Sequence, residues 1–291
     1  MRITLNNNVI VAEIETAGAE LKSIKKGDKE YMWCADPAFW NRTSPVLFPF
    51  VGAVADGKYR VDGHEYPMGQ HGFARDMEFE LEEKTDDCAV FSLTSNETTL
   101  SKYPFDFKLT ISYKLDGDSI IVGWKVENTG KEDMPFAIGA HPAFNCELSS
   151  EGTLKGNSVI LKTDKDVLTV RKFHDPLAAN ETYELTLKSD KSFEVDEHTF
   201  DGGAIILENS QVSGASIKNA EGDVFVEMTF DAPLLGIWSP VGKNAPFICL
   251  EPWYGRADAE GFSGELKDRD FEQLLNPGDS FDAEYRVSFK L

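Results

Sequence analysis

Positive charge is what this sequence has least of: Lys and Arg number 29 against 50 Asp and Glu, a formal net charge of −21. Such a field repels polyanions, so it argues against nucleic acid or an acidic membrane as partners, and it disfavours an anionic substrate unless local basic residues override it. Cysteine is sparse as well. Cys34, Cys88, Cys146 and Cys249 stand singly, without C-x-x-C spacing, which argues against a zinc ribbon or a thioredoxin-like motif and leaves most of them as reduced fillers of apolar space. No apolar run near the start, "MRITLNNNVIVAEI", is long enough for a signal peptide or a membrane span, so a cytoplasmic protein is expected. No segment keeps a 3.6-residue apolar period for more than about two turns. The best helix candidate is "DRDFEQLL", residues 268–275. Linkers rich in Pro, Gly and Ser, low-complexity tracts and repeats are missing too, so residues 1–291 are expected to form one domain.

What the chain does have is a core: 41% of its residues are hydrophobic and 20 are Phe, a globular composition. Apolar and polar residues alternate in short runs over 9–15, 89–94, 107–115, 120–128, 224–230 and 281–291, the period of half-buried strands. Asp116-Gly117-Asp118 between two of them reads as a tight hairpin connection. Antiparallel pairing follows, and with it an all-β sandwich or barrel with few short helices.

Chemistry gathers in three places. The apolar run "PFICL" (246–250) is followed by "EPWYGRAD" (251–258), which puts Glu251 where a buried strand runs out, and a carboxylate that loses water there has the raised pKa of a working acid or base. His71 stands between Gly69 and Gly72 in "MGQHGFARD" (68–76), where glycine permits a sharp turn or close approach to a ligand. His141 ends an apolar run in "AIGAHPAFN" (137–145), its backbone biased to extended geometry by Pro142. His64, His174 and His198 lie among charged residues in expected turns and are set aside. Two histidines and a carboxylate allow three readings: a metal triad, a glycosidase pair of Glu251 with Asp258, or metal-free proton transfer by a carboxylate base and an imidazole acid. The ligand spacing does not support a metal, the glycosidase pair leaves both histidines idle, and the third reading uses every residue.

"HGFARD", "AHPAFN" and "LEPWYG", in this order and at these separations, resemble the aldose 1-epimerase (galactose mutarotase-like) family, in particular its LacX-like branch. The similarity runs from "SPVLFPFVG" (44–52) through "LLGIWSP" (234–240) to the final strand. The resemblance implies a single large antiparallel β-sandwich with a sugar cleft, no metal or cofactor, and interconversion of the α and β anomers of a free hexose such as galactose or glucose. It implies Glu251 as base, His141 as acid and His71 as a second, hydrogen-bonding histidine. One departure stands out: many mutarotases carry Arg where this chain has Ala53. The cation that orients sugar hydroxyls is then expected from Arg42 or Arg75, with Asp201 accepting from a hydroxyl and Trp253 stacking on the pyranose. Two rivals remain, a hexose-6-phosphate 1-epimerase, which needs a basic cluster, and a non-catalytic sugar-binding or sugar-sensing protein.

Overall fold

In a computed structural model, which describes residues 1–290, the alternation decides the architecture. Along Phe107–Asp116 every odd-numbered side chain is buried, and along Ser119–Asn128 the even-numbered ones are. The two strands pair from Phe107 opposite Asn128 to Asp116 opposite Ser119, closed by Gly117 and Asp118. Gly117 has φ +59°, the left-handed geometry that such a two-residue turn requires. The other expected strands appear as Val11–Glu15, Cys88–Thr94, Val224–Phe230 and Ser280–Phe289; Leu291 lies outside the described residues.

These elements form a large antiparallel β-sandwich. One sheet has nine strands, ordered Ser192–Glu194, Ser158–Leu161, Gly214–Lys218, Val224–Phe230, Ser280–Phe289, Ser119–Asn128, Phe107–Asp116, Cys88–Thr94 and Glu80–Lys84. The other runs Leu177–Thr186, Val167–His174, Ile205–Leu207, Leu234–Trp238, Phe247–Tyr254, Ile138–Ala140 and Val46–Leu47, with Ala143–Asn145 also paired to Phe247–Tyr254. A four-stranded sheet is built from the first thirty residues. One continuous apolar core draws on both large sheets and runs from Ile3 to Phe289.

The strand Phe247–Tyr254 positions the chemistry. Ile248 and Leu250 point into the main core, whereas Phe247 and Cys249 join a second cluster with Trp33, and Trp253 a third with Leu47 and Leu234. The strand is therefore covered on both faces, which is why it reads as an unbroken apolar run. Glu251 shares the outer face with Phe247, Cys249 and Trp253, because side chains alternate along a strand.

Helix is as scarce as expected: among the described residues the one α-helix is Glu97–Leu100. The segment 268–275 is not helical. A 3₁₀ turn, Leu266–Asp268, precedes it, and Gln273–Leu275 is a strand paired to Met134–Phe136. Phe271 has φ +61°, which a right-handed helix does not admit, and buried Arg269 is drawn to Asp258 (2.6 Å) and Glu272 (2.7 Å). Ion pairing has overridden the local apolar period.

Candidate active site

Strand register brings two of the three motifs together. On one side of Phe247–Tyr254, Gly139 pairs with Trp253 and Ala143 with Cys249, which leaves His141 opposite Glu251. On the other side Gly236 pairs with Glu251. The imidazole Nε2 of His141 lies 3.2 Å from Oε2 of Glu251, and both side chains are buried. Gly236 is required by packing: a Cβ there would lie 2.4 Å from the Trp253 ring, and one on Gly139 would lie 2.6 Å from it.

His71 arrives from a separate loop. Its φ is +68°, a left-handed conformation costing a non-glycine residue on the order of 1 kcal/mol, and the loop is held there by several contacts. The His71 N–H donates to the Gly52 carbonyl at 2.8 Å, and the Gly52 N–H donates back to Nδ1 of His71 at 3.0 Å. The neighbouring Gly72 has no room for a side chain, since its Cβ would lie 2.3 Å from the Phe48 carbonyl oxygen. Because Nδ1 accepts, the imidazole hydrogen sits on Nε2. The two imidazole rings meet edge to face with centroids 5.6 Å apart.

Burial dominates the electrostatics. It drives the Glu251 carboxyl well above the usual carboxylate range. The Trp253 indole partly offsets this, without reaching hydrogen-bond geometry. Burial likewise pushes His141 down to about 3, and Arg75 and Arg42 add to the effect. His71 is held well below the ordinary imidazole value by burial, then by His141, Arg75 and Arg42. The favoured form of the Glu251–His141 pair therefore carries one proton, on the carboxyl, facing a neutral imidazole.

Arg42 and Arg75 both pair with Asp76 and lie within electrostatic reach of both histidines. Arg42 is held by Asp76 at 2.7 Å. Arg75 donates to the Gln70 carbonyl at 2.7 Å, while its buried Nε has no hydrogen-bond partner. Trp253 is only 6% exposed, packed over Gly139 and Gly236. Asp201 is not in contact with the triad: it pairs with exposed His198 at 2.9 Å and shares a small surface depression with Ser239 and Pro240, directly after Trp238.

Sequence reasoning missed the aromatic frame of His141. Trp40 stacks on it at 4.7 Å between centroids and Trp238 meets it edge-on at 5.3 Å. Cys249 is more than a filler of apolar space: its thiol lies with the His141 and Glu251 ligand atoms in a group spanning no more than 4.8 Å. Alternation from Glu251 would have placed Cys249 on the same face; the tryptophans left no comparable signal.

The whole chain has relatives. The model of the family described as Aldose 1-epimerase matches residues 1–288. Protein LacX (plasmid) of Lactococcus lactis subsp. lactis is 32% identical, over 99% of each chain. A galactose mutarotase related enzyme from Lactobacillus acidophilus is 31% identical and superposes with a TM-score of 0.94, over 100% of this chain and 98% of that one. A galactose mutarotase-like protein from Lactobacillus casei is 32% identical, with a TM-score of 0.93 over 100% of both chains. With the family model spanning nearly every residue and this sandwich shared with relatives above 30% identity, the chain belongs to the aldose 1-epimerase family and is an isomerase.

Proposed function

We propose that the protein is a cytoplasmic mutarotase that interconverts the α and β anomers of a free hexose such as galactose or glucose. The observation that carries this reading is the buried pair His141–Glu251, 3.2 Å apart, with the His71 ring edge-to-face with that of His141 at 5.6 Å between centroids. Ring opening removes a proton from the C1 hydroxyl and delivers one to the ring oxygen. Glu251 as the carboxylate takes the first while protonated His141 gives the second, so the pair passes from its charged to its neutral tautomer. Rotation about C1–C2 and reclosure run the same transfer backwards and invert the anomeric centre. Burial stabilises the neutral tautomer, so the ring-opened intermediate meets a relaxed site. His71, neutral with its hydrogen on Nε2, donates to the ring oxygen or an adjacent hydroxyl.

In this reading Arg75 and Arg42 orient hydroxyls, Trp253 forms the floor, and Asp201 accepts from an outer hydroxyl at the rim. The core from Ile3 to Phe289 supports one domain, and four free cysteines fit a reducing compartment. Among the described residues no helix is long and apolar enough to cross a membrane. A second reading, a 6-phosphorylated hexose, draws on the Nε of Arg75, which has no hydrogen-bond partner and only a 3.8 Å ion pair with Asp76. Polarimetry or NMR of anomer equilibration over a panel of free and 6-phosphorylated sugars tests both. Acceleration of a free aldose is expected; rates equal to buffer on every sugar would sink the mutarotase reading.

A further inference from the structure

Cys249 takes no part in the proton transfer, yet it occupies the most enclosed position of the site. It is fully buried, two residues before Glu251 on the same strand face, and across the ladder from the segment that carries His141. Three different ligand types meet there: a thiol, an imidazole and a carboxylate, with ligand atoms all within 4.8 Å of one another. Around a tetrahedral zinc ion with Zn–S of about 2.3 Å and Zn–N or Zn–O near 2.0–2.2 Å, neighbouring ligand atoms lie about 3.3–3.8 Å apart. The His141–Glu251 separation of 3.2 Å is already close to that, and a side-chain adjustment of about an ångström brings the sulfur in. Oε2 of Glu251, 1% exposed as a side chain, has no hydrogen-bond partner.

We propose that His141, Cys249 and Glu251 form a capture site for a soft divalent cation, Zn²⁺, which displaces the Cys249 thiol proton and the Glu251 carboxyl proton to solvent as it binds and reversibly blocks the enzyme while bound. A mixed sulfur, nitrogen and oxygen set with a free fourth position suits zinc and discriminates against magnesium and calcium, which take oxygen ligands. Trp40 and Trp238 hold the imidazole from its face and edge, fixing the ligand's orientation much as outer-shell groups do in built metal sites. The net charge of −21 raises the local concentration of cations. The blocking effect rests on the mutarotase reading, because the ion would occupy the carboxylate and imidazole that move protons; the binding does not.

The test therefore reads binding directly. Protein stripped with EDTA and desalted is titrated with Zn²⁺ by equilibrium dialysis and, in parallel, with Cd²⁺ while the sulfur-to-cadmium charge-transfer band is recorded. One ion per chain and a clear band are expected. Cys249→Ser and Cys249→Ala, each checked for native melting, should lose the band and bind roughly 100-fold more weakly or worse, since the softest ligand is gone. Zinc should suppress wild-type anomerisation, with recovery on chelation, and spare the Cys249 variants' own rates. Failure of zinc to bind, binding without a thiolate band, or equal affinity in the Cys249 variants would overturn the site; the last two would assign the ion to surface carboxylates. If the protein shows no anomerisation at all, the band still decides the site, and only the mutarotase reading fails.

Discussion

The Gly52 N–H donates to Nδ1 of His71, and His71 returns a bond from its own N–H to the Gly52 carbonyl. This reciprocal pair makes the second histidine a fixed donor with its hydrogen on Nε2. Replacing His71 by Asn shortens the reach of that donor without disturbing the proton-carrying pair. KM should rise more than kcat falls, the pattern of lost orientation. A kcat loss as deep as that of a Glu251 variant would make His71 a proton carrier instead.

Glu251→Gln keeps size and hydrogen bonding but takes up no proton. Its kcat should fall by about 10²–10⁴-fold with little change in KM, the range of general acid–base catalysis. His141→Asn should behave alike. Near-native turnover in a folded Glu251→Gln protein would remove the base from the mechanism.

The same substitution should act oppositely on stability. The folded-state carboxyl holds its proton above the ordinary carboxylate range. Its contribution to stability is thus full below the ordinary value and is lost as pH rises through the raised one. Glu251→Gln should melt with wild type in acid and above it in alkali. A gain of about 1 kcal/mol corresponds to roughly 2–4 °C in a chain of this size. Parallel melting curves at every pH would contradict a buried, protonated Glu251.

The pH profile of kcat/KM, measured with chelator present, should be bell-shaped and broad. The active pair carries one proton. A second proton enters only well below the ordinary imidazole value, with His141 down at about 3, and the first leaves only above the ordinary carboxylate range. The acid limb should lie well below 6.5, where a free imidazole titrates. An acid limb at that value would show a solvated histidine controlling the rate.

Arg75→Ala should raise KM for a free hexose by about tenfold with a smaller effect on kcat, as expected when a hydroxyl-orienting fork is lost. The arginine pair also separates the two substrate readings. If a 6-phosphorylated hexose is the better substrate, Arg75→Ala should hurt it more than the free sugar, and added salt should weaken it further.

Much of this was legible because the decisive signals are local. Alternation located the long strands, and Gly69, Gly72, Pro142 and the end of "PFICL" marked His71, His141 and Glu251 as unusual. The meeting of His141 with Glu251 is a matter of ladder register between residues more than a hundred positions apart, which the motifs flagged only through family resemblance. Trp40, Trp238 and Gly236 became visible only with that register, since a tryptophan in a loop and a glycine in a strand look the same whether or not they face a site. The segment 268–275 misled because its apolar spacing was helical while Arg269 and Asp270 were committed to Asp258 and Arg256 outside it.

Four of the five tryptophans, Trp33, Trp40, Trp238 and Trp253, belong to the outer face of the sheet that carries His141, while Trp124 lies in the main core. The indoles of the molecule are therefore concentrated around the His141–Glu251 pair. Trp40, stacked on the imidazole, is an optical probe already built into the chain: a ligand reaching His141 or a proton arriving on it alters that indole's surroundings. Occupancy of the site can be followed by intrinsic fluorescence, in real time and without a label.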